Sequence, residues 1–123
     1  QKLTSNVDRR LIVASLYKNS FKNSKIGFQD FDEKKYLNSY HLFVIQTEQR
    51  KELYDFFIFK EIYSQVHYLP VYKHPYYQRN GFKDVKLKNA EDIYSKALSI
   101  PMFHGILNNE VEFVLKTIHE FKN

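Results

Sequence analysis

The sequence predicts an α+β domain: a small three-stranded, mostly antiparallel sheet covered on one face by helices. Apolar residues recur at helical spacing over residues 3–22 and again from Asn109 to the end of the chain. Between them lie short runs of aromatic and branched residues, bounded by Gly27, Pro70 and Pro101, which read as strands and their stops. The 123 residues, 43% hydrophobic and 27% charged, suffice for one ordinary domain with its own core.

In chain order, Val7, Leu11, Ala14, Tyr17 and Phe21 mark the first amphipathic helix, ended by the polar stretch before Gly27. Residues 26–37 read as an exposed connection. Tyr40 to Ile45 gives the first strand. Thr47 is placed to cap a helix whose apolar positions are Leu53, Phe56 and Phe57, flanked by Tyr54 and Ile58. Tyr63 to Tyr68 reads as the second strand, stopped by Pro70. Residues 69–86 form a long loop, and a loop of this length in a compact domain points to function. Asn89 is placed to cap a short helix to about residue 96, and Ala97 to Ile100 is the third strand. Asn109 with Glu112 resembles a capping box before the stripe Val111, Val114, Leu115, Ile118 and Phe121.

Composition removes several classes of chemistry. Without cysteine there is no disulfide framework, thiolate metal site or thiol nucleophile. The longest apolar stretches, Leu11 to Ala14 and Phe56 to Phe59, are too short to span a membrane. The N-terminus carries no signal-peptide pattern, so the expected location is cytoplasmic. The chain opens on Gln1, as expected of a processed protein or a piece of a longer one. His67 and His74 stand seven apart across a proline-broken loop, which matches no zinc spacing, and no metal is expected. The serines lack a glycine-framed nucleophile elbow, and the isolated glycines make no phosphate cradle.

The net charge of +5 suits an anionic partner, and equally a solvated surface. The ten tyrosines and eleven phenylalanines concentrate attention on Val66 to Arg79. Aromatic faces there can stack on a base or a sugar, while Lys73 and Arg79, extended by Lys83, Lys86 and Lys88, can neutralise phosphate. The same residues fit a surface loop pinned by its own tyrosines. A stand-alone basic and aromatic binding module for nucleotides or single-stranded nucleic acid is therefore the alternative reading, although no nucleic-acid motif is present.

Residues 40–122 resemble the C-terminal small domain of the DegT/StrS-type nucleotide-sugar aminotransferases. The pieces run in order: Tyr40 to Ile45, Arg50 opening a helix, Val66-His67-Tyr68 with Pro70 and Pro75, Tyr76-Tyr77, and Gly81-Phe82. Asn89-Ala90-Glu91, Leu98-Ser99-Ile100-Pro101 and the helix from Asn109 follow. The first helix, with Arg9-Arg10 and Tyr17, resembles the long helix leading into that domain. Pro75-Tyr76-Tyr77 and Leu-Ser-Ile-Pro look most like the subgroup that makes UDP-4-amino-4,6-dideoxy-N-acetyl-β-L-altrosamine for pseudaminic acid.

The resemblance implies that residues 1–123 form the small domain of a longer, pyridoxal-phosphate-dependent enzyme. That enzyme would transfer an amino group, from glutamate, to a 4-keto-6-deoxy nucleotide-sugar, and would work as a homodimer. The Schiff-base lysine, the cofactor-stacking aromatic and the pyridinium-binding aspartate are implied to lie in a large domain outside this sequence. No residue here is therefore expected to be catalytic, and the isolated chain is expected to be inactive. His67, Tyr68, Tyr72, His74 and Tyr76 are the expected substrate contacts, with no nucleic-acid or membrane partner. Two departures stand out: Glu61-Ile62 where many members have Gly-Ile, and Tyr72 where many have a second histidine five residues after the first.

Overall fold

A computed structural model describes residues 2–32 and 34–121. Helix α1 (Lys2–Phe21) leads to β1 (Gly27–Phe28), β2 (Phe43–Gln46) and helix α2 (Arg50–Phe59). Short helical turns follow over Val71–Lys73, α3 (Pro75–Tyr77) and Gln78–Phe82. Helix α4 (Lys88–Lys96) then runs directly into β3 (Ala97–Ile100), and α5 (Asn108–Phe121) closes the chain. The sheet order is β1-β2-β3, and both pairings are antiparallel.

The expected α+β class and three-stranded sheet are present, but one strand comes from a different place. The third member is Gly27–Phe28, inside the connection expected to be exposed, paired Gly27↔Gln46 and Phe28↔Ile45. A Cβ at Gly27 would meet the Gln46 Cβ at 3.4 Å, an ordinary van der Waals contact, so the pairing does not depend on the glycine. The expected strand over Tyr63 to Tyr68 reduces to a single bridge, Gln65↔Ser99, with both backbone hydrogen bonds made. Extending it one way would pair residue 63 with Pro101, which has no N–H to give. Extending it the other way would pair residue 67 with Ala97, whose N–H already donates to the Ile93 carbonyl at the end of α4. The ladder is stopped at both ends.

Helix starts also differ in detail from the sequence expectation. Thr47 Oγ1 accepts from the Gln49 N–H, just ahead of α2, rather than capping inside it. Helix α4 begins at Lys88, with no side-chain cap from Asn89. At α5 the reciprocal bond comes from Glu110, whose carboxylate accepts from the Leu107 N–H at 2.7 Å; Glu112 takes no such part.

The β2–β3 register, Phe43↔Ile100 and Ile45↔Leu98, places four apolar side chains on one face. Val13, Tyr17 and Phe21 of α1, Leu53 and Phe57 of α2, and Val111, Val114 and Ile118 of α5 join the same core. Part of the aromatic surplus is used here: Tyr17 and Phe43 lie 5.1 Å apart, with Phe28 and Tyr40 each 6.1 Å from Phe43. Tyr17 is fully buried and its hydroxyl donates to the Pro101 carbonyl at 2.8 Å. Burial alone holds its phenol protonated far above the usual range.

Replacing Leu98, fully buried at the centre of this face, by alanine is expected to cost about 2–5 kcal/mol in urea unfolding. Phe59→Ala, at a position 78% exposed, should stay within about 0.5 kcal/mol. Equal costs would show that the core is not where the burial places it.

Candidate functional site

The chain leaves α2 at Glu61, in the left-handed region at φ +58°, and meets β3 once, at Gln65, before reaching His67. His67 is half-buried. Its Nδ1 lies 2.8 Å from the hydroxyl of Ser99, the β3 residue that the Gln65 bridge holds by its backbone. Ser99 is itself buried, so the imidazole sits on a fixed post rather than at a loop tip. The Tyr68 ring packs edge-on against His67 at 4.6 Å and is 74% exposed.

The next segment is ordered by a second anchor. Tyr72 is buried, and its hydroxyl donates to a Glu91 carboxylate oxygen at 2.9 Å. The other Glu91 oxygen pairs with the Lys73 ammonium at 3.2 Å. Burial, then the bond to Glu91, raises the Tyr72 phenol above its usual value. The bond from Tyr72, then that from Lys73, lowers the Glu91 carboxyl below its own. The Gln78 amide donates back to the Tyr72 carbonyl, Arg79 to that of Pro75, and Asn80 to that of Tyr76. Gly81, at φ +91°, provides the reversal that closes the turn.

The expected contact residues therefore divide. His67 and Tyr68 stand together on the Ser99 post. Tyr72 is turned inward and its hydroxyl is committed to Glu91. His74 is exposed at the start of α3, and Tyr76 is exposed with its ring edge-on to Tyr77 at 5.3 Å, which in turn meets Phe82 at 5.7 Å. Arg79, Lys83, Lys86 and Lys88, which follow these rings in the sequence, are all exposed.

Among the described residues no three His, Asp or Glu side chains come together as a metal site. Among these residues, too, no helix is long and apolar enough to cross a membrane. Lys51 and Lys96, rather than being poised to lose a proton, have raised pKa values from hydrogen bonds to Asp55, and to Asp92 and Glu48. The sequence reading missed two features. Ser99 sits in an apolar strand and shows no motif; only the register reveals it. An apolar groove of about 580 Å³ lies elsewhere, lined by Tyr63, Phe103 and Phe113 among others, and these residues are far apart in sequence.

The DegT/DnrJ/EryC1/StrS aminotransferase family matches residues 1–119. The spore coat polysaccharide biosynthesis protein SpsC of Bacillus subtilis is 27% identical over 123 residues, covering 91% of this chain and 31% of SpsC. The UDP-4-amino-4,6-dideoxy-N-acetyl-β-L-altrosamine transaminase of Campylobacter jejuni is 29% identical over 127 residues, covering 96% of this chain and 32% of that protein. In structure, Helicobacter pylori PseC, an aminotransferase involved in the biosynthesis of pseudoaminic acid, superposes with a TM-score of 0.80. It is 25% identical, over 94% of this chain and 32% of PseC. The chain thus spans about a third of the relatives it matches.

The Glu91 tether has a calculable pH window. A carboxyl lowered in the folded state contributes stability above its unfolded value, lost as pH falls through the lowered one; a phenol raised in the folded state contributes below its unfolded value, lost as pH rises through the raised one. The protection factors of the Lys73, His74 and Gln78 amides, measured against the intrinsic exchange rate at each pH, should accordingly hold through neutrality and fall in acid below the usual carboxylate range. Glu91→Ala should speed their exchange about three- to tenfold at neutral pH while leaving Ser99 in β3 unchanged. Uniform acceleration across the chain would show that Glu91 holds the whole fold instead of this segment.

Proposed function

Because this chain belongs to the DegT/DnrJ/EryC1/StrS aminotransferase family over almost its whole length, we propose that it is the small C-terminal domain of a pyridoxal-phosphate-dependent sugar aminotransferase. The match over residues 1–119, by a chain about a third as long as its relatives, carries this reading. The full-length protein transfers an amino group from an amino acid, glutamate, to a 4-keto-6-deoxy nucleotide-sugar, as a cytoplasmic homodimer. The likeness to the altrosamine transaminase supports a substrate of that class, and the likeness to PseC supports pseudaminic acid biosynthesis as its setting.

Pyridoxal phosphate supplies the electron sink that amino transfer requires. Its attachment needs an amine able to lose its proton in a cleft, and we infer that this lysine lies outside the chain. The amines of Lys51 and Lys96 are instead held protonated by carboxylates. We assign the attachment lysine and the partner of the pyridine nitrogen to the remaining two-thirds of the protein.

What this chain contributes is one wall of the substrate cleft. His67 and Tyr68 face the sugar, and His74 and Tyr76 form the rim. Tyr72 holds that rim in place through Glu91. Arg79 and Lys83, both exposed, are the cations proposed to neutralise its diphosphate.

The test is the full-length subunit expressed from its source gene. It should bind pyridoxal phosphate and aminate a UDP-linked 4-keto-6-deoxy-hexosamine at the expense of glutamate, while the 123-residue chain alone does neither. In the full-length protein, His67→Ala should lower kcat/KM by about tenfold or more. A full-length protein that ignores the cofactor and binds oligonucleotides with a steep salt dependence would overturn the reading and favour the binding module.

A further inference from the structure

We propose that Ser99 is a positioning residue that sets the protonation of His67, so that the imidazole offers an N–H from Nε2 to an oxygen acceptor on the substrate. The inference deepens the proposed substrate contact and rests on that reading for the identity of the acceptor. The ring geometry stands apart from it.

Donor and acceptor balance at a buried hydroxyl selects the tautomer. Ser99 is 5% exposed, and among the described residues its Oγ has one partner, His67 Nδ1 at 2.8 Å. Its backbone groups are already used, the N–H by the Gln65 carbonyl and the carbonyl by the Gln65 N–H. If Nδ1 carried the ring proton it would donate to Oγ, and the hydroxyl's own proton would be left in a buried place with no acceptor. A stranded buried donor loses its hydration without compensation. The reverse arrangement satisfies both groups at this contact: the Ser99 O–H donates to Nδ1, and the neutral ring carries its proton on Nε2, toward the outer side of the ring.

Nε2 has no hydrogen-bond partner among the described residues, on a half-buried ring beside the exposed Tyr68. The Gln65↔Ser99 bridge holds the Ser99 backbone, and the hydroxyl it carries meets the ring at Nδ1, so one residue both places and protonates the imidazole. A donor held this way fits a sugar hydroxyl, a sugar carbonyl or a phosphate oxygen.

Two measurements decide it. In the 123-residue chain labelled with ¹⁵N-histidine, His67, identified by loss of its signals in His67→Asn, should show a protonated Nε2 and an unprotonated Nδ1. Ser99→Ala should move both nitrogens toward the averaged shifts of an exchanging ring, with the Gln65 amide reporting that the bridge is intact. A protonated Nδ1, or shifts unmoved by Ser99→Ala, overturns the proposal.

In the full-length enzyme, Ser99→Ala should raise KM for the keto-sugar nucleotide about three- to tenfold, with kcat within about twofold. His67→Gln, whose amide N–H reaches the place of Nε2, should retain more activity than His67→Asn. Loss of kcat with KM unmoved would mean that Ser99 serves only the fold. If the full-length protein aminates no sugar at all, the aminotransferase reading fails, while the ring tautomer still decides independently whether Ser99 sets the protonation of His67.

Discussion

Strand β3 has no free edge at the point where it matters and no free face. Leu98 and Ile100 pack into the core against β2 and the helices, while Ala97 and Ser99 point the other way and are buried too. One edge is taken by β2 and the other by Gln65. Because side chains alternate along a strand, a slip of one residue would put the Ser99 hydroxyl into the apolar core and a leucine under His67. The register that buries Leu98 opposite Ile45 is therefore the same constraint that supports the imidazole. Core packing, and not a local motif, aims the site.

Both anchors of the site lie on one continuous stretch. Helix α4 carries Glu91 and passes without a loop into β3, which carries Ser99. The Lys96 carbonyl at that junction accepts from the Thr47 N–H after β2, and the Arg50 guanidinium donates to the Ser95 carbonyl just before it. His67 rests on Ser99 and Tyr72 on Glu91, so two residues five apart in a loop are referred to a single rigid rail. The segment between them need not be stiff in itself. It is short, and its ends are fixed to the same object.

The long periodic helices were legible because each repeats its apolar signal over several turns; Tyr17 and Phe21, or Val111, Val114 and Ile118, announce a buried face without help. The sheet was legible in number but not in membership. Gly27–Phe28 is a strand only because β2 offers it an edge, and two residues carry no period of their own. Residues 63–68 carried the better strand pattern, yet Pro101 and the Ala97 N–H, both distant in sequence, withhold the partners a ladder needs. The aromatic density of Val66 to Arg79 singled out a segment that the structure anchors at two points, on Ser99 and on Glu91. It gave no sign that Tyr72 turns inward while Tyr68 and Tyr76 turn out, since that division depends on Glu91.

The phenol at position 72 gains meaning from that division. Where a second histidine stands in many of the aminotransferases this chain resembles, an imidazole would titrate near neutrality and change charge within the working range. A buried tyrosine does the opposite. Its burial and its bond to Glu91 push proton loss further from neutrality, and Glu91 in turn stays ionised to lower pH. The pair is a fixed neutral donor on a fixed anion, with Lys73 balancing the charge. Such an arrangement keeps the protonation of both groups constant across the neutral range. The other anchor is different in kind: the His67 ring is held from behind by a neutral hydroxyl that adds no charge of its own.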